Sequence, residues 1–451
     1  MRKTGAGLDL PIAVGLLVAA GELDPDAVRS MAFVGELGLD GSIRGVPGTM
    51  VLAESLASYR LVVSQESACE AGLAGGHEIL AASSLANLVE KISGHIPWSE
   101  VEPTTSTRRS DTSCKRLGSE ASSDRTRSIV CSDLSDVRGQ KLARRALEVA
   151  AAGGHHLLMV GPPGSGKTML ASRLPDLLPP LDRATALEAT RVHSVAGVSL
   201  PSSGLISRPP FRAPHHGTSA VAMIGGGTSL MRPGEISMAH GGVLFLDELG
   251  EFPSIVLEAL RQPLEDGQVR VSRARGSITF PARFILVASM NPCPCGEGGG
   301  PGGCRCSEAA RERYARRLSG PLLDRFDMAI WVDPPHADDL VSGRPGESTC
   351  SVAARIVEAR RRAVERGVAV NADIAGPSLA DAIPLTRGAA TLIERQVRSR
   401  SLSARGLHRV HRLARTIADL DGAGELVEEA HVHEALALRC RRDVLLGDEA
   451  E

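Results

Sequence analysis

The segment GPPGSGKT, Gly161 to Thr168, has the residue types and spacing of a loop that cradles phosphates. Gly161, Gly164 and Gly166 let the backbone wrap a triphosphate, with Pro162, Pro163 and Ser165 between them. The Lys167 ammonium can reach the β- and γ-phosphates, and the Thr168 hydroxyl can ligate Mg2+. A helix opening near Thr168 would turn its amide dipoles toward the anion. Downstream, the apolar run VLFLDE ends in Asp247 and Glu248, one carboxylate suited to hold the metal and the other to polarise a water against the γ-phosphate. A further run, FILVAS, leads to Asn291, whose amide can orient that water or form a turn before Pro292. Arg325, between two aspartates in LSGPLLDRFDM, reads either as a local ion pair or as a finger into a neighbouring subunit's nucleotide.

Three other clusters have chemical potential. Cys293, Cys295, Cys304 and Cys306 form two C-x-C pairs joined by a glycine-rich stretch, open to two readings: tetrahedral Zn2+, or free and redox-sensitive thiols. His215 and His216 are adjacent, which favours a loop-structuring role over joint ligation of one ion. Arg270, Arg273, Arg275 and Arg283 surround the expected hairpin QVRVSRARGSITFPARF, with Arg273 and Arg275 on one side; such a face could track phosphates or be an ordinary charged strand.

The elements that must position these groups follow from pattern. The 451-residue chain suggests two or three domains, and its net charge of -2 leaves any nucleic-acid surface local. Aromatics make up only 2% of the residues, so base-stacking platforms are scarce and polynucleotide contacts should go to phosphate. Nine unevenly spread cysteines argue against a secreted disulfide framework and fit a reducing, cytoplasmic setting. The start superficially resembles a signal peptide, but Asp9 and Pro11 interrupt it; Leu10 to Ala20 reads as a buried amphipathic helix, and no stretch is long enough to span a bilayer.

Residues 1–97 read as a compact α/β unit, with MAFVGELGLDGSIRGV as a hairpin turning at Asp40-Gly41, LVVS as a strand and SLANLVEKI as a helix. Residues 98–132, rich in Ser, Thr, Arg and Asp, read as a flexible linker. Residues 133–350 alternate strands and helices as a parallel α/β sheet requires, with HHLLMV as the strand entering the phosphate loop. Residues 351–451 read as a helical domain.

The blocks GPPGSGKT, FRAPHHGTSAVAMIGGG, PGEISMAHGGVLFLDELGEF, ASMNPCPCG, LSGPLLDRFDM and SARGLHRVHRLARTIADLDG together resemble the magnesium-chelatase-like AAA+ ATPases of the ComM/YifB family. GLDLPIAVGLLVAAG and FVGELGLDGSIRGVPG are similar to the Lon-protease-like domain that precedes the ATPase there. The resemblance implies an α/β AAA+ P-loop core with a C-terminal helical lid and an N-terminal Lon-like domain, which reads as shortened at its start. It implies ATP and Mg2+ as cofactors, Gly161 to Thr168 as Walker A, Asp247 and Glu248 as Walker B, Asn291 as sensor 1 and Arg325 as a trans-acting finger. Arg405 resembles sensor 2, with Arg409 and Arg412 close enough to leave the choice open. FRAPHHGTSAVAMIGGG resembles an insertion facing the central pore.

The expected assembly is a ring, usually a hexamer, and the expected activity is an ATP-driven DNA motor for branch migration or unwinding. A chelatase-type ATPase subunit remodelling a partner and an ATP-gated scaffold are the alternatives. Proteolysis is not expected, because KTGAGLDLPIA lacks a nucleophilic serine and GVPGTMVLAESLA lacks a lysine to pair with one.

Overall fold

The computed structural model describes residues 6–76, 78–98, 133–227, 231–273, 276–296, 304–315, 320–341, 345–375 and 379–440. Nearly all of the expected linker, the glycine-rich run 297–303 and Arg275 lie outside these residues.

Near the N-terminus, the apolar runs Met31–Phe33 (β1), Arg60–Ser64 (β2) and Ile79–Ala82 (β3) form a parallel sheet in the order β1-β2-β3. The expected hairpin is therefore shorter than its sequence block. Antiparallel pairing covers only Glu36–Leu37 with Ile43–Arg44, because β1 pairs with β2 instead. Helix Asp9–Ala19 (α1) buries Leu10 and Val14, yet Ile12 and Leu16 remain exposed, so it is apolar on both sides where an amphipathic helix was expected.

The central sheet contains Leu157–Val160 (β4), Phe211–Arg212 (β5), Val243–Leu246 (β6), Ile285–Met290 (β7) and Met328–Trp331 (β8), all parallel, in the order β8-β4-β7-β6-β5. Side chains alternate across a strand, and here both faces are covered. Leu157, Met159, Phe245 and Val287 enter one core, while Leu158, Val160, Leu246 and Ala288 enter the other. That explains why these strands read as unbroken apolar runs. Truncating a side chain such as Leu158 to alanine would cost about 2–5 kcal/mol.

Glycine ends the helix that leads into β4. Lys141–Gly153 (α2) stops at Gly154, φ 73°, whose N–H donates to Ala150 O at 2.9 Å. Arg183–Ala196 (α3) opens on the Asp182 carboxylate, which accepts from the N–H groups of Ala184 and Thr185. The N-terminal unit docks on α3: Ser194 Oγ donates to Glu70, Arg191 pairs with Glu54, and Gly48 N–H donates to Ser194 O.

The C-terminal helices are Thr349–Glu365 (α4), Arg387–Arg398 (α5), Ala404–Leu420 (α6) and Glu429–Leu438 (α7). Ser348, Thr386 and Ser403 cap the first three, and Glu428 with His431 makes a capping box for the last. Their apolar faces join α2 in the core on one side of the central sheet. A polar network fastens this contact. Buried Asp419 receives Arg366, Arg415 and Asn371, and Asn371 also donates to Thr416, which bonds His155 at 2.8 Å just before β4.

Candidate functional site

The phosphate loop joins β4 to the helix Lys167–Ala171, which is only five residues long. Gly164 and Gly166 take φ of 77° and 88°, the left-handed region that favours glycine. At Gly161 the limit is space, since an added Cβ would stand 2.2 Å from Val332 O. Lys167 Nζ folds onto its own loop, donating to Gly161 O and Pro162 O at 2.8 Å each. Burial pushes its pKa down and the Asp247 charge opposes that. Gln140 Nε2 braces the loop by donating to Ser165 O.

Thr168 Oγ1 donates to Asp247 Oδ2 at 2.7 Å. A hydroxyl and a carboxylate converging at the carboxyl end of a parallel sheet fit the oxygen set that Mg2+ requires. Ser289 Oγ, near the end of β7, holds the other Asp247 oxygen. Glu248 sits in a left-handed conformation, φ 54°, uncommon for a residue with a side chain. Its N–H donates to Asp247 Oδ1 and Ser289 Oγ, and its exposed carboxylate meets His216 Nδ1 at 3.1 Å. The His215 ring packs on His216, with centroids 4.0 Å apart. The histidine pair thus includes a partner for Glu248. Asn291 follows β7 directly, and because β7 neighbours β4, it stands beside the phosphate loop.

Arg325 and Arg405 lie elsewhere. Both line a cleft of about 1130 Å³ with His156, Gly241, Arg283 and Arg409. His156, Gly241 and Arg283 precede their strands, so this cleft is at the amino ends of the sheet, opposite the phosphate loop. A four-residue strand alone separates the two edges by about 13 Å. Arg325 is ion-paired with Glu265, and burial together with the charges of Arg405, Arg409 and Arg261 depresses its pKa. Arg409 pairs with Asp327 at 3.5 Å, Arg412 donates to Ile374 O, and Arg405 is exposed in the first turn of α6.

The expected arginine hairpin forms from Gln268–Arg273 and Gly276–Pro281. Arg270 points to the open face, whereas Arg273 lies on the Val269–Val271 side near Gly226. Arg283 belongs to the cleft rather than to the hairpin. The cysteines at 293, 295, 304 and 306 bring their sulfur atoms within 4.8 Å of one another. Sequence reasoning missed Gln140, Ser289, His216 as a Glu248 partner, and Glu265. Only Ser289 carried a local signal, as a polar residue ending an apolar strand.

A parallel sheet with a phosphate loop and an acidic pair at one edge, backed by a helical domain, defines a P-loop ATPase of the AAA+ class. Residues 133–340 match the family described as magnesium chelatase, subunit ChlI, residues 346–439 its C-terminal part, and residues 1–67 a further description, subunit ChlI of Mg-chelatase. The chain is 40% identical to the Escherichia coli protein YifB over 97% of its length and 82% of that relative. It is 40% identical to the competence protein ComM of Haemophilus influenzae over 97% of its length and 83% of ComM. Similarity to Lon protease 2 of Bacillus subtilis, 31% identity, extends over 31% of this chain and 26% of that protein. The chain belongs to the ComM/YifB family of magnesium-chelatase-like AAA+ ATPases. Among the described residues no helix is long and apolar enough to cross a membrane.

Proposed function

We propose that the chain is one subunit of a cytoplasmic, ATP-hydrolysing ring, a hexamer by the habit of its class, that moves DNA strands during recombination of incoming DNA. The chain would divide into a Lon-like domain at 1–97, a linker at 98–132, the ATPase core at 133–350 and the helical lid at 351–451. The observation that carries the ring is the separation of Arg325 and Arg405 from the phosphate loop by the full depth of the sheet. Packing the cleft of one subunit against the phosphate-loop edge of the next would bring them together. The competence protein's name and the exposed Arg270 and Arg273 support DNA as the substrate.

In this reading Thr168 and Asp247 hold Mg2+, which neutralises phosphate charge when bound. Lys167 exchanges the carbonyls of Gly161 and Pro162 for the phosphates of ATP. Glu248 orients the attacking water, with Asn291 beside it. A neighbour's Arg325, released from Glu265, stabilises charge developing on the γ-phosphate, an effect worth on the order of a thousandfold or more in rate. Of the three candidates in α6, Arg405 is preferred as sensor 2, because Arg409 and Arg412 are engaged with Asp327 and Ile374.

The family description itself favours a second reading, a chelatase-type subunit that remodels a partner. The intact Asp247–Thr168 pair and Glu248 count against a scaffold that binds ATP without turnover. Hydrolysis measured with and without branched DNA separates the readings, with Lys167→Ala and Glu248→Gln as inactive controls. Stimulation by DNA with strand exchange supports the motor. Turnover indifferent to DNA but raised by a chelatase partner would sink it, and no hydrolysis under any condition would leave the scaffold.

A further inference from the structure

We propose that Cys293, Cys295, Cys304 and Cys306 hold a structural zinc ion that braces the nucleotide site. Cys293 Sγ lies 3.2 Å from Cys295 Sγ and 3.5 Å from Cys304 Sγ, with 3.7 Å between Cys295 and Cys304. Tetrahedral zinc with Zn–S bonds of about 2.3 Å sets its sulfurs about 3.8 Å apart. A disulfide would bring two of them to about 2.05 Å. The array has the spacing of a cation's ligands, and an all-thiolate set selects a soft, tetrahedral metal over Mg2+.

The cluster sits where three pieces of the nucleotide site meet. Cys293 follows Asn291 by two positions in the chain, which ties the metal to the end of β7. Gly296 packs on the phosphate loop so closely that an added Cβ would lie 2.8 Å from Pro163 Cγ. Cys306 leads into the helix Glu308–Ala315, whose first turn is held by Ser307 Oγ accepting from Ala310 N–H. Tyr314 of that helix is buried against Gly250, where a Cβ would stand 2.8 Å from its ring, two positions beyond Glu248. A metal at the four sulfurs therefore fastens Asn291, the phosphate loop and the turn after the acidic pair into one body. Its loss would loosen the loop that binds ATP without removing any residue that touches it.

The test uses the full chain, prepared with zinc and without chelator. Metal analysis should give about one zinc per chain. Cys304→Ser with Cys306→Ser should lose it, while Cys306→His should keep it, because imidazole replaces thiolate in such sites. Withdrawing zinc from the wild-type chain with a chromogenic chelator should weaken binding of a fluorescent ATP analogue several-fold, and zinc should restore it, with far-ultraviolet circular dichroism unchanged. Substoichiometric zinc in the reduced wild-type chain, or equal zinc in the double serine variant, overturns the site. Zinc that leaves and returns with no change in nucleotide affinity overturns the brace. Neither readout involves DNA or hydrolysis, so this site stands apart from the motor.

Discussion

In the proposed reaction Lys167 and Glu248 divide the work of one site, and their substitutions should fail differently. Lys167 is held by loop carbonyls that phosphates would replace, so Lys167→Ala should weaken binding of a fluorescent ATP analogue. Glu248 is exposed at the sheet edge, and in the proposed reaction it meets the attacking water rather than the phosphates. Glu248→Gln should bind the analogue normally and lose hydrolysis by at least about a hundredfold. Equal loss of binding in both variants would count against this division. The residue types were readable because phosphate binding demands glycines and a lysine at fixed spacing. The contact of His216 with Glu248 was not, since it joins the segments that follow two different strands of the sheet.

Among elements, the hairpin at 268–281 and helix α6 carry the clearest consequences. Arg270 and Arg273 sit on opposite faces of one strand, so each should neutralise its own phosphate if DNA follows the hairpin. Arg270→Glu and Arg273→Glu should each weaken DNA binding and reduce the slope of log affinity against log salt by about one, with DNA-free ATP turnover unchanged. An unaltered slope would remove the hairpin from the DNA path. In α6, Asp419 is fully buried between Arg366 and Arg415, and breaking such a pair leaves uncompensated charge. Asp419→Asn should cost about 3–5 kcal/mol in urea unfolding. The helices themselves were legible from caps and periodicity. The hairpin's faces were legible only in part, because Arg283, though adjacent in sequence, turns into the cleft.

For the whole molecule the central matter is the proposed split of one site between subunits. On that proposal a chain with Lys167→Ala keeps Arg325 as its finger, and one with Arg325→Ala keeps its phosphate loop. Each should be inactive alone, while an equal mixture should regain about a quarter of the intact sites by random assembly. Failure of mixed rings to recover any ATP turnover would place the finger in its own subunit. The fold also has a predictable response to acid. Burial lowers the pKa of His156, His193 and His240 below the ordinary 6.5, so the folded chain holds them neutral. Their contribution is complete above that value and is lost as pH falls below it, because the unfolded chain takes up protons first. The urea midpoint should therefore fall between about pH 7.5 and about pH 5.5. An unchanged midpoint would show that the folded and unfolded chains take up protons alike over this range, against the depressed values.

The sequence alone determined the phosphate loop, the acidic pair, the parallel α/β order and the family, because each rests on local spacing or a continuous apolar run. Tertiary structure decided which residues share a site. It set Ser289 on Asp247 and His216 on Glu248, gathered the four cysteines from both sides of a glycine-rich stretch, and moved Arg325 and Arg405 to the edge opposite Lys167. The physical reason is the sheet itself. Spacing along a strand fixes which face and which end a residue occupies, whereas strand order and crossover packing set its neighbours across the fold.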